Sequence, residues 1–180
     1  MRTKLAFFAT VFPLVIVLDV ASKRWALSAL AGGIRQSLFG GLVPLTLAFN
    51  KGAAFGLRIG DDSRWFFVPV TVIALGLLAV LFRQAHEKDY LRLLSLTLVV
   101  AGAVGNLFDR VRWSRGVVDF IGPINLGFTD FPIFNVADMS ISCGAVALAL
   151  SFWQEERRER HAPRAQATEP LAETEPPSLS

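Results

Sequence analysis

Residues 101–138 read AGAVGNLFDRVRWSRGVVDFIGPINLGFTDFPIFNVAD, and this stretch decides how the chain folds. It begins inside an apolar helical run, leaves through a polar segment and re-enters an apolar run just after a second acidic residue. An ionisable group costs roughly 2.5–3.5 kcal/mol at the centre of a membrane helix, so a chain that keeps several of them together is expected to use them. The polar residues of the stretch are Asn106, Asp109, Arg110, Asp119, Asn135 and Asp138.

The composition indicates a membrane protein. Of the 180 residues, 53% are hydrophobic and 18% are charged, against about 25% charged in an average soluble domain. The apolar runs are too long and too evenly spread for a globular core. The net charge of +3 is small and the basic residues form no stripe, which argues against nucleic-acid binding.

The cysteine and histidine content disfavours a resident metal. The single cysteine, Cys143, excludes an internal disulfide and a cysteine-rich metal site, and its apolar surroundings are typical of a small buried hydrophobe. His86 and His161 both lie in charged polar stretches, which disfavours a histidine-based zinc centre. We therefore predict no metal and no cofactor.

The apolar runs predict four transmembrane helices, at about 5–25, 65–83, 91–109 and 132–153. The predicted fold class is an all-α polytopic membrane protein, with a four-helix transmembrane domain at residues 1–154. Residues 155–180 are charged and then rich in Pro, Ala and Glu, which predicts a disordered polar tail.

The first apolar run follows a basic MRTK start, as a cleaved signal peptide would. It contains Asp19 and Lys23, lacks a clean small-residue cleavage site and precedes three more spans, so we interpret it as a retained helix. Asp19, Ser22 and Lys23 share one helical face. The pattern alone leaves open whether Asp19 and Lys23 are functional or simply pair near the end of the helix.

Residues 37–60 interrupt the helical pattern with repeated glycines and a short strand-like LTLAF segment. The alternative is a simple connecting loop, but a plain connection of this length is uncommon. We predict a small β-rich extracytoplasmic element at the membrane face, with Asn50 and Lys51 at its turn.

Four spans place both termini on one side of the membrane and collect the unusual polar residues on the other. The raw count of Lys and Arg does not set the orientation, but the basic start and the arginine-rich segment after residue 156 favour cytoplasmic termini. The residues that converge on the far side include Asp19, Lys23, Asn106, Arg110, Asp119, Asn135 and Asp138.

Asp119 and Asp138 could meet across the connection between the last two spans. Two adjacent carboxylates share a proton, so one can take a proton from water while the other donates to a peptide carbonyl. Taken singly, Asp119 is equally well explained as a turn acid and Asp138 as an acid favoured by a helix dipole. The spacing alone does not establish the pair.

Five segments resemble those of one protein family and occur in that family's order. They are LDVASK (18–23), FNKGAAFG (49–56), GAVGNLFDR (102–110), GVVDFI (116–121) and FNVAD (134–138). Together they are similar to the lipoprotein signal peptidases, or signal peptidase II, which are bacterial intramembrane aspartyl proteases. The one visible departure from the family pattern is the long polar tail after residue 154.

The resemblance implies that Asp119 and Asp138 are the catalytic pair in a bacterial inner-membrane enzyme. It implies cleavage of the signal peptide of a diacylglyceryl-modified prolipoprotein just before the lipidated cysteine, contact with membrane lipid, and sensitivity to globomycin. The matching positions that would line or support the pocket are Asp19, Lys23, Asn50, Gly52, Gly105, Asn106, Arg110 and Asn135.

Three other interpretations remain open on the residues alone. A small four-helix transporter would carry its polar residues through the membrane, whereas here they stop at one face. A purely structural membrane protein would have no need to carry the five segments in this order. A metal-dependent membrane hydrolase could use carboxylates as hard oxygen ligands, namely Asp19, Asp109, Asp119 and Asp138.

Overall fold

The computed structural model describes residues 2–52 and 64–161. Within these residues, four helices are long and apolar enough to cross a membrane. They are α1 (Arg2–Ala29), α2 (Arg64–Gln84), α3 (Tyr90–Arg112) and α4 (Val136–His161). The predicted four-span fold is therefore confirmed.

Helix α3 is the centre of the bundle, because it packs against each of the other three helices. Its contact with α4 is the most extensive, and small residues permit it. A Cβ added at Gly144 would lie 2.7 Å from the Val99 side chain and 2.8 Å from the Ser95 carbonyl oxygen. Ser140 of α4 also donates a hydrogen bond of 2.8 Å to the Leu98 carbonyl.

A three-stranded antiparallel sheet stands at one end of the bundle, in the order β1 (Gln36–Leu38), β2 (Val43–Asn50) and β3 (Val117–Ile121). A short hairpin of β4 (Ile124–Asn125) and β5 (Asp130–Phe131) follows. The register of β2 with β3 sets Ala48 opposite Asp119. The predicted β-rich element is confirmed up to Gly52, and its residues 53–60 lie outside the described part of the chain.

A small apolar core joins the sheet to the end of α1. It consists of Ala26, Leu30, Leu45 and Phe120, all buried. Trp25 adds an edge-on ring contact with Phe120, at 6.2 Å between ring centroids. Because Phe120 follows Asp119 directly, this core fixes the position of the acidic residue against α1.

Two predicted boundaries are wrong. Residues 132–135 are not helical, since Phe134 forms a β-bridge with Ile121 and α4 begins at Val136. Residues 155–161 continue α4 instead of starting a disordered tail. Their side chains explain this: Arg160 pairs with Glu156 at 2.6 Å, one helical turn away, and Arg92 of α3 pairs with Glu155 at 3.0 Å. Residues 162–180 lie outside the described part.

Candidate active site

Asn135 caps the N-terminus of α4 and brings Asp138 into position. The Asn135 side-chain Oδ1 accepts from the Asp138 backbone N–H at 2.8 Å, and Asp138 Oδ2 accepts from the Asn135 N–H at 3.1 Å. This reciprocal arrangement is a capping box, which satisfies N–H groups that the first helical turn leaves unpaired. The FNVAD segment therefore fixes the backbone and the carboxylate of Asp138 together.

Asp119 is buried in the middle of β3, with 2% of its surface exposed. The Asn135 side-chain Nδ2 donates to Asp119 Oδ1 at 2.7 Å. One asparagine thus binds both Asp119 and Asp138. The structure brings together the two carboxylates that the sequence suggested as a pair.

Asn106 of α3 reaches Asp138 from the opposite side. Its Nδ2 donates to Asp138 Oδ1 at 2.7 Å. Its Oδ1 accepts from Asn135 Nδ2 and from the Lys23 ammonium, each at 3.1 Å. Asn106 therefore connects the carboxylate pair to α1.

The ammonium of Lys23 lies between two further buried carboxylates. It stands 2.8 Å from Asp19 Oδ2 and 2.9 Å from Asp109 Oδ2. Asp19 Oδ1 accepts from the Ala137 N–H at 3.0 Å, which ties α1 to the start of α4. A Cβ at Gly105 would come within 2.6 Å of Asp19 Oδ2, so glycine is required there for the carboxylate to fit.

Arg110, Asn50 and Gly52 form the side of the site that faces the β-rich element. The Arg110 guanidinium donates to the Gly52 carbonyl at 3.0 Å and to the Asn106 carbonyl at 3.4 Å. Asn50 Oδ1 accepts from the Gly52 N–H at 2.9 Å, which closes a short turn. Arg110 also lies 5.5 Å from the centre of the Phe67 ring of α2.

Burial and the neighbouring negative charge of Asp138 raise the pKa of Asp119 from 3.8 to about 7. Hydrogen bonds from Asn50 and Asn135 and the positive charge of Lys23 oppose this shift, but they do not cancel it. Asp119 is consequently close to half-protonated at neutral pH. A carboxyl group in this state can exchange a proton with a reacting group.

Two adjacent carboxyl groups that share one proton are suited to the hydrolysis of an amide by activated water. The metal-dependent alternative requires several oxygen ligands to converge on one point. Among residues 2–52 and 64–161, no three His, Cys, Asp or Glu side chains are grouped so that they could hold a metal ion. Asp19 and Asp109 point to the Lys23 ammonium instead.

The sequence-predicted residues meet at the end of the bundle that carries the sheet. Asp109 was not among the residues predicted to line or support the pocket, although it pairs with Lys23 and accepts from the Val118 N–H at 3.3 Å. Its place one turn after Asn106 on the same face of α3 could have indicated this. The predicted residues that make the network are Asp19, Lys23, Asn50, Gly52, Gly105, Asn106, Arg110, Asp119, Asn135 and Asp138.

The fold and the site define an integral membrane protein with a carboxylate pair at one end of its helices. The sequence model of the Peptidase_A8 family, described as Signal peptidase (SPase) II, matches residues 11–154. The chain belongs to this family. It is therefore an aspartic endopeptidase of the membrane that removes signal peptides from prolipoproteins.

Individual relatives agree with the family match. The chain is 38% identical over 144 residues to the lipoprotein signal peptidase of Streptococcus pyogenes serotype M5 (strain Manfredo), covering 79% of this chain and 90% of the relative. The enzyme from serotype M3 (strain SSI-1) gives the same figures, 38% over 144 residues with 79% and 90% coverage.

Two solved structures, each described as a bacterial membrane enzyme, have the same fold. One, determined at 2.3 Å, has a TM-score of 0.75 and 28% identity, covering 90% of this chain and 94% of that one. The other, determined at 1.9 Å, has a TM-score of 0.71 and 29% identity, covering 86% and 95%.

Proposed function

We propose that Asp119 and Asp138 are the catalytic pair of this peptidase. The observation that carries the proposal is their shared asparagine: Asn135 donates to Asp119 Oδ1 at 2.7 Å and to Asp138 Oδ2 at 3.1 Å. One carboxylate takes a proton from water, and the other donates a proton to the carbonyl oxygen of the scissile bond. The pKa of about 7 for Asp119 suits a group that changes protonation state during turnover.

The remaining predicted residues support or line the pocket. Asp19, Lys23 and Gly105 hold the ends of α1, α3 and α4 together. Asn106 and Asn135 orient the two carboxyl groups. Asn50, Gly52 and Arg110 lie towards the β-rich element, where the substrate backbone would be held extended alongside the pair.

The substrate is a prolipoprotein with a diacylglyceryl group on its cysteine, cut just before that cysteine. A lipid-anchored substrate reaches the enzyme by lateral diffusion, so its scissile bond lies close to the headgroups. The pair stands at the start of α4 and next to the end of α3, which is where such a bond would arrive. Globomycin would compete for the same pocket.

We place the enzyme in the bacterial cytoplasmic membrane with both termini cytoplasmic and the active site extracytoplasmic. The arginine-rich end of α4 supports this orientation, because positive residues favour the cytoplasmic side. The sheet and the carboxylate pair then face the compartment into which lipoprotein precursors are exported.

The test is cleavage of a diacylglyceryl-modified prolipoprotein in lipid vesicles by wild type, Asp119→Asn and Asp138→Asn. Asparagine keeps the shape of the aspartate side chain and removes its titratable carboxyl group. Each variant should lose activity by about a thousandfold or more, while thermal unfolding shows that it is folded. Wild type should cleave equally with and without a chelator and should stop on addition of globomycin.

A precursor with Ser in place of the lipidated cysteine serves as the matched substrate control and should remain uncut. Normal cleavage by either folded variant would refute the pair. Loss of wild-type activity on chelation would instead revive the metal-dependent alternative.

A further inference from the structure

The ammonium of Lys23 determines which way the Asn106 amide faces. An ammonium group only donates hydrogen bonds. The atom of Asn106 at 3.1 Å from Lys23 must therefore be the oxygen, and the amide nitrogen must face Asp138 Oδ1 at 2.7 Å. Lys23 is buried at 4% exposure and is ion-paired with Asp19 and Asp109 as well, so its position is fixed.

The backbone of α4 determines the orientation of Asn135 in the same way. The Asp138 N–H can only donate, so the Asn135 oxygen faces it at 2.8 Å. The Asn135 nitrogen then faces Asp119 Oδ1 at 2.7 Å. Both amides are thus held in one orientation by groups that cannot accept.

The two carboxyl groups differ in their donors and in their burial. Asp138 is half-buried, and each of its oxygens accepts: Oδ1 from an amide polarised by an ammonium, and Oδ2 from a main-chain N–H. Asp119 is 2% exposed and is approached by the neutral amides of Asn50 and Asn135. Hydrogen-bond donors favour the charged form of a carboxyl group, and burial favours the neutral form.

The charged groups around the pair lie on two helices, α1 and α3. Lys23 approaches from α1, while Arg110 and Asp109 approach from α3. We infer that Lys23 is a positioning residue that, through Asn106, holds the resting negative charge of the pair on Asp138 and leaves the proton on Asp119. This inference rests on the proposed function and adds the division of roles within the pair.

The division of roles gives a balanced reaction. Asp138 takes a proton from water, the water oxygen forms a bond to the carbonyl carbon, and the carbonyl oxygen receives the proton of Asp119. In the second step the C–N bond breaks and the leaving nitrogen receives the proton from Asp138. A hydroxyl of the intermediate returns its proton to Asp119, which restores the resting state.

Infrared difference spectroscopy on the folded full-length protein tests where the proton resides, independently of activity. Wild type at neutral pH should show the stretching band of a protonated carboxyl group. The band should persist in Asp138→Asn and disappear in Asp119→Asn. The reverse result would overturn the inference while leaving the catalytic pair intact, whereas full activity of both variants would refute the pair itself.

The pH dependence of kcat tests the role of Lys23. Asn106→Leu breaks the connection but leaves Lys23 paired with both carboxylates, so the protein should fold. Its kcat should fall about tenfold or more at neutral pH with a smaller change in KM. The acidic limb of the pH–kcat profile should move to higher pH, because the negative charge shared by the pair loses the amide donor of Asn106.

Two further variants separate positioning from mere stability. Lys23→Arg keeps a cation that only donates hydrogen bonds. The acidic limb of its pH–kcat profile should therefore lie at the same pH as that of wild type. Ser140→Ala removes another α3–α4 hydrogen bond, of 2.8 Å, and should lower the unfolding temperature without moving the limb. An unshifted limb in Asn106→Leu, or equal shifts in Asn106→Leu and Ser140→Ala, would overturn the role of Lys23.

Discussion

Two pairs of carboxylates lie at the same end of this molecule and differ in the group that connects them. Asp19 and Asp109 are bridged by the ammonium of Lys23, at 2.8 and 2.9 Å. Asp119 and Asp138 are bridged by the neutral side chain and backbone of Asn135, at 2.7 and 3.1 Å. The Lys23 cluster (Asp19, Lys23 and Asp109) contains a counter-ion within contact distance, and the second pair has an amide in that place.

The difference explains why acidic residues of the same type have different tasks. In the Lys23 cluster the ammonium lies within contact distance of both carboxylates and offsets part of the cost of removing them from water. In the second pair, burial and the neighbouring negative charge of Asp138 together favour the protonated form of Asp119 and raise its pKa to about 7.

The largest effect on stability is expected from removing the counter-ion. Lys23→Met leaves two buried carboxylates without their cation and should reduce the free energy of unfolding by about 3–5 kcal/mol. Chemical or thermal unfolding in detergent measures this loss. The control is Arg92→Met, which breaks an ion pair whose Glu155 side chain is 51% exposed. That variant should lose no more than about 1 kcal/mol, and equal losses in the two variants would contradict the structural role of the Lys23 cluster.

A smaller effect is expected when the pH is changed. The direction in which kcat changes follows from the protonation state of Asp119. Because the pKa is raised from 3.8 to about 7, the acid form that donates the proton persists up to neutral pH and is lost above it. The value of kcat should fall about tenfold for each pH unit on the alkaline limb. If the alkaline limb of the pH–kcat profile lay several pH units higher, another group would have to supply the proton.

The titration of Asp119 also affects the stability of the folded protein, which should decrease as the pH rises. The folded state holds the Asp119 proton up to about pH 7, whereas the unfolded chain releases it near 3.8. The contribution is therefore fully present below about 3.8 and is lost as the pH rises through about 7. The unfolding temperature of wild type should therefore fall over this pH range, and that of Asp119→Asn should not show this fall.

Much of the fold could be predicted because it depends on local patterns. The length of the apolar runs gave the four helices, and alternation across the membrane placed Asp19, Asn106 and Asp138 at one end. Gly102 permits close helix packing, because a Cβ at this position would meet the Ala137 carbonyl oxygen. These signals need no knowledge of distant contacts.

The parts that could not be predicted depend on long-range pairing. The segment that forms β3 has residues 117–120 all buried, so it lacks the alternation that marks a strand facing solvent. Its pairing with β2 joins residues that are far apart in sequence, as Ala48 and Asp119 are. The continuation of α4 to His161 was missed because the polar composition masked contacts such as that of Arg157 with the Trp153 ring, 4.2 Å from its centre.

The most direct test of the account removes one carboxylate from each pair and measures both properties in the same preparations. Asp119→Asn should abolish prolipoprotein cleavage while unfolding no more easily than wild type. Asp109→Asn keeps an oxygen that can accept from Lys23 but removes a charge from its cluster. It should unfold more easily and retain most of its activity while folded. Cleavage by Asp119→Asn would contradict the division between a structural and a catalytic pair. Loss of cleavage by folded Asp109→Asn would contradict it as well.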